Sequence, residues 1–138
     1  MNVIRPIMHD PMFLSLPSDK ANETDRQVVT DLMDTLRAHT HECVGMAANM
    51  IGVRKRIIVV SMGALIIPMI NPAILSKSQP YDVEEGCLSL SGVRKTVRYR
   101  QIEVSFLDQD FKPRRMTYRD WPAQIIQHEI DHCNGILI

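Results

Sequence analysis

No surplus of either charge runs through this sequence: 16 Lys and Arg residues balance 16 Asp and Glu, a formal net charge of zero with His neutral. A chain without positive excess lacks the field that draws in nucleic acid or an acidic membrane face, so sequence-specific nucleic-acid binding is not expected. Long apolar runs are also missing. The segment Met1-Asn2-Val3-Ile4-Arg5-Pro6 holds no unbroken stretch of signal-peptide length, and no later run is long enough to span a bilayer. A cytoplasmic protein without a membrane partner is expected. Cysteine is scarce and odd in number, and the wide spacing of Cys43, Cys87 and Cys133 argues against a disulfide framework. Reduced thiols remain, any one of which could ligate a metal. Repeats, low-complexity tracts and Gly/Ser linkers are absent, which leaves one domain over residues 1–138, read as a monomer.

What is present is an ordinary globular composition, 45% hydrophobic and 23% charged in 138 residues, enough for a single core. Residues 1–16, in a stretch punctuated by Pro6, Pro11 and Pro17, read as an extended arm. Thr24 followed by Gln27 has the spacing of a capping box, and Val28, Val29, Leu32, Met33 and Leu36 then recur at helical spacing. A helix over about Asp25 to His39 follows. From Val53 to Tyr118 short β-branched runs take over: Arg56 to Val60, Ile66 to Ile70, and Ile102, Val104 and Phe106 in period-two alternation. Asp108 to Pro113 reads as a hairpin turn before a strand at Arg115 to Tyr118. Ala123 to Cys133 carries no helix breaker, and Asn134-Gly135 supplies a stop. Strands bracketed by an early and a late helix predict an α+β domain with the last helix packed on a sheet.

That last helix contains His128-Glu129-Ile130-Asp131-His132. Residues four apart on a helix are related by about 400°, so two imidazoles stack on one face and can share an ion, with Glu129 beside them. Two histidines leave a catalytic metal one protein ligand short, the usual third being His, Glu or Cys. Only six residues follow His132, and Cys133 points about 100° away from it on the helix. The third ligand must come from upstream. Cys87, in Glu84-Glu85-Gly86-Cys87-Leu88-Ser89, is the favoured donor, because Gly86 permits close backbone approach and neighbouring N–H groups could face an oxyanion.

Three segments resemble the motifs of the peptide deformylase family, in family order. Gly45-Met46-Ala47-Ala48-Asn49-Met50 is similar to the GxGxAAxQ loop, Glu85-Gly86-Cys87-Leu88-Ser89 matches EGCLS, and Gln127 to His132 matches QHExDH. The resemblance implies a deformylase-like fold, with antiparallel or mixed sheets around a C-terminal HExxH helix and one N-terminal helix. It implies hydrolysis of the formyl group from the N-terminal formyl-methionine of nascent peptides, with ribosome proximity. By carry-over, Cys87, His128 and His132 hold one divalent ion, usually ferrous iron in this family, with Zn2+, Ni2+ or Co2+ accepted. Glu129 is the acid/base group, Leu88 N–H and residue 50 face the oxyanion, and Gly45 pairs with the peptide backbone. Val44, Glu85, Trp121, Gln124 and Ile125 line the methionine pocket, and Arg98 corresponds to a family arginine near the active-site strand and is expected to contact substrate.

The chain also departs from the family pattern. Met50 replaces the glutamine and has no N–H to donate, Cys43 replaces the first glycine of the loop, and Asn49 its usual proline. Trp121 and Gln124 stand where aliphatic residues are usual. Losing one oxyanion donor typically costs about 10²- to 10³-fold in rate, so reduced activity is expected. The competing reading is a non-catalytic relative that keeps the metal and binds peptide N-termini.

Overall fold

The computed structural model describes residues 3–138. In chain order the helices are α1 (Pro11–Leu14), α2 (Arg26–Ala38) and α3 (Asp120–Cys133), and the strands are β1 (Gly45–Ala47), β2 (Ile57–Met62), β3 (Leu65–Gly86), β4 (Val93–Leu107) and β5 (Pro113–Arg119). The strands form one sheet in the order β1-β2-β3-β4-β5, every neighbouring pair antiparallel. The α+β expectation holds, and of the antiparallel or mixed sheets expected the structure has one sheet, antiparallel throughout.

The core is built around β2. Its run Ile57-Ile58-Val59-Val60 is fully buried, the pattern of a strand covered on both faces. Ile57 and Val59 pack with Val29, Leu32 and Leu36 of α2. Ile58 and Val60 pack with Ala123, Ile126 and Ile130 of α3, together with Ile102, Val104 and Phe106 of β4. Each such side chain contributes about 1.5–3 kcal/mol on burial, so β2 is the plate on which both helices are seated.

Several boundaries differ from the sequence reading. The arm is not extended throughout: Asp10 Oδ1 accepts the Met12 N–H at 3.0 Å and Pro11 occupies the first turn, which closes α1. The capping box lies two residues upstream of Thr24 and Gln27. Asn22 Oδ1 accepts from Thr24 N and Asp25 Oδ2 from Asn22 N, both at 2.9 Å, while Gln27 turns to Asp31. Helix α3 starts at Asp120, three residues early, because Pro122 in the first turn lacks only an N–H that would have no helical partner. Strands β3 and β4 run far beyond the apolar stretches that announce them, as a paired ribbon from Pro80–Tyr99 to Gly86–Val93 that delivers the chain to Cys87. The β4–β5 hairpin is as expected, with Asp108 Oδ1 accepting from Asp110 N and Lys112 N.

Candidate metal centre

Three elements converge beside the N-terminal end of β1. Helix α3 presents His128, Glu129 and His132 inward, 8%, 4% and 0% exposed. Gln127 pins this face to β4, its amide donating to Tyr99 O and accepting from Tyr99 N, both at 2.8 Å. Asn49 Nδ2 donates to the His132 carbonyl at 2.9 Å, tying the far end of the helix to the turn after β1. Cys87 follows the last residue of β3. Its Sγ lies 3.3 Å from His132 Nε2, which is 3.2 Å from His128 Nε2, and the three ligand atoms fall within 4.8 Å of one another.

Electrostatics at this cluster suit a cation. Burial, then the neighbouring His128, depresses His132 to about 3, so its imidazole is neutral at ordinary pH. Burial also opposes charge on His128, yet its hydrogen bonds to Cys87 and Glu85 outweigh that and raise it to about 10. One positive charge is favoured where thiol and imidazoles meet. A divalent ion supplies that charge to a sulfur and two nitrogens of the type such ions take. His128 Nδ1 is braced at 2.8 Å by Glu85 Oε1, the outer partner that fixes a ligating imidazole.

Glu129 lies beside this cluster. Burial raises it to about 7, opposed by His128, and its Oε1 has no hydrogen-bond partner among the described residues. Gly45 makes room for it: a Cβ there would lie 2.8 Å from Ile125 Cγ2 and 2.9 Å from Glu129 Oε2. Both residues open on a cavity of about 760 Å³. The other expected cavity residues, Met50, Val44, Leu88, Trp121, Gln124 and Ile125, line it as well. Trp121 is 56% exposed and stands at the rim rather than in the core. Met50 is 1% exposed, and its thioether accepts the Ala47 N–H at 3.4 Å.

Arg98 is placed differently. It does not line the cavity but lies behind it, donating from Nε and Nη2 to Glu85 and, at 2.6 Å, from Nη1 to Asp131 Oδ2. Glu85 touches the cavity yet is occupied by Arg98, His128 and Gln124, which hold its carboxyl down to about 2 although burial pushes the other way. Cys133 is in the hydrophobic core, away from the ligand cluster. Cys43 lines the cavity as a thiol, pushed up to about 12 by burial and by Glu129, and donates to Gly45 O. Sequence reasoning missed Thr40 and His41 at the rim and Tyr81 behind Gln124, residues with no motif around them.

The polypeptide deformylase family model matches residues 5–138. A peptide deformylase from Clostridium beijerinckii is 54% identical over 136 residues, covering 99% of this chain and all of that protein. Among solved structures, a Met-Ala-Ser-bound class I type b peptide deformylase from Acinetobacter baumannii superposes with a TM-score of 0.88 at 27% identity, covering 98% and 97% of the two chains. A peptide deformylase from Legionella pneumophila gives 0.86 at 34% identity, covering 97% and 83%.

Proposed function

The chain belongs to the polypeptide deformylase family, and on that premise we infer that it is a metal-dependent hydrolase removing the formyl group from N-terminal formyl-methionine. The observation that supports this most is the convergence of Cys87, His128 and His132 within 4.8 Å of one another, beside a cavity that Cys87, His128 and Glu129 line. The family uses a divalent ion, and Cys87, His128 and His132 are the residues that would hold it, with ferrous iron the proposed native metal and Zn2+, Ni2+ or Co2+ able to replace it. When bound, such an ion supplies Lewis acidity toward a carbonyl and acidifies water.

The protein's own groups do the rest. Glu129, set near 7, takes the proton of the attacking water and returns it to the leaving amine, and a carboxyl at that value exchanges protons readily at neutral pH. The Leu88 backbone N–H is the proposed donor to the developing oxyanion. The peptide backbone lies along Gly45, and the methionine side chain enters between Val44, Trp121, Gln124 and Ile125. No helix among the described residues is long and apolar enough to cross a membrane. The reading takes residues 1–138 as one monomeric domain acting in the cytoplasm, near the ribosome where formylated N-termini emerge.

Formate release from formyl-Met-Ala-Ser by protein prepared anaerobically with ferrous iron tests the reading. Turnover that depends on the formyl group is expected. Metal-loaded protein that releases no formate would overturn it.

A further inference from the structure

Gln124, His128 and His132 form a stripe on α3, each four residues from the next. The first two meet the same carboxylate: His128 Nδ1 lies 2.8 Å from Glu85 Oε1, and Gln124 Nε2 donates to Glu85 Oε2 at 2.9 Å. Arg98 grips Glu85 from the other side, and its Nη2, at 2.7 Å, shares Oε1 with the histidine. Oε1 thus accepts from Arg98 and His128 together. A second donor from α3 on Oε2 keeps the carboxylate turned toward the helix rather than toward the guanidinium alone.

A glutamine can do this only in one orientation, since its oxygen against Glu85 would repel. Glu85, which only accepts, fixes that choice, and the Tyr81 hydroxyl donates to the Gln124 Oε1 that remains, at 3.3 Å, holding the amide in the orientation the carboxylate requires. Tyr81 is the direct cross-strand partner of Arg98, and the Arg100 guanidinium lies 4.9 Å from its ring centre, so the β-ribbon holds the phenol in place. Tyr81, Gln124, Glu85 and His128 thus form an unbroken chain from the ribbon to a ligand nitrogen. Both polar ends of Gln124 are engaged within it, so its methylenes are what remain for the cavity.

We propose that Gln124 and Tyr81 are positioning residues for the ligand His128, acting in series through the Glu85 carboxylate. This rests on His128 holding the metal but not on the identity of the substrate. Partners of a ligating histidine typically change metal affinity about 10- to 100-fold when removed, and Gln124, one bond further out, belongs at the lower end.

The test is a double-mutant cycle on the intact protein, read as the Zn2+ dissociation constant in competition with a chelator. Gln124→Leu, of similar volume, is expected to weaken Zn2+ about tenfold and Tyr81→Phe about threefold, with the double variant no weaker than Gln124→Leu. The Nδ1–H proton resonance of His128 should shift in both single variants. An affinity within twofold of wild type in Gln124→Leu overturns the proposal. So does a Tyr81→Phe loss of equal size with and without Gln124, because the hydroxyl would then not act through the amide. Tyr81→Phe deletes one hydroxyl from a half-buried ring and carries the test if Gln124→Leu folds poorly: unchanged affinity refutes the series. Formate release is scored separately. Coupling in Zn2+ affinity without formate release would sink the deformylase reading alone, and formate release without coupling would sink only this one.

Discussion

Met50 is the residue at which the proposed oxyanion site can be tested most directly. Its thioether occupies a cavity-lining position, accepts a backbone N–H and offers nothing to a developing negative charge. Glutamine is nearly isosteric, and its carbonyl can take over the Ala47 N–H while its amide points into the cavity. Met50→Gln is expected to raise formate release by about one to two orders of magnitude, about 1.4–2.7 kcal/mol of transition-state stabilisation, mainly in kcat. Steady-state kinetics of the two proteins side by side decide it, and equal kcat values in a folded, metal-loaded variant would refute the donor argument. Glu129 poses the opposite experiment. Its unpartnered buried oxygen and its value near 7 suit proton transfer, so Glu129→Gln should keep the metal and lose about 10²- to 10⁴-fold in turnover. Full turnover at full metal content would remove it from the proton path.

At the scale of elements, α3 and the turn after β3 carry the proposed ligands, which their packing brings together. Cys87→Ala or His132→Ala should lower the metal content of dialysed protein well below one per chain, while Cys133→Ala, altering only the core, should leave it intact. Elemental analysis reads this directly, and near-stoichiometric metal in either ligand variant excludes that residue from the set. Helix α3 and strand β2 were legible in the sequence for physical reasons. His128 and His132 sit at helical spacing, and β2 announces itself by four consecutive buried β-branched residues. The β3–β4 ribbon was not legible. Beyond Ile74 it is mostly exposed on both faces, so no apolar alternation marks it, and only register shows it. The role of Arg98 escaped for a related reason. Its partners Glu85 and Asp131 are 13 and 33 residues away, and no local pattern reports a pairing made across a sheet.

Across the whole molecule, Glu85 is the junction: from β3 it binds Arg98 of β4 and Gln124 and His128 of α3. Its carboxyl is lowered from 4.5 to about 2, so as pH falls the unfolded chain takes up this proton before the folded one. The stability it contributes is present above about pH 4.5 and lost as pH falls through 2. Urea midpoints measured across that window should drop in the wild type and depend less on pH in Glu85→Gln, and parallel curves would show that the junction does not govern acid unfolding. The long ribbon has a further consequence. From residue 71 onward β3 pairs only with β4, which leaves its other edge without a strand among the described residues. A flat edge of that length would be a template for recruiting strands from other molecules. Here register shifts at Ile70/Ala73 and Ile74/Ser76, the left-handed backbone of Gln79, the missing N–H of Pro80 and the charge of Lys77 break the row of donors and acceptors. An edge interrupted in this way offers a second chain few consecutive partners, so the ribbon can stay long without acting as a template.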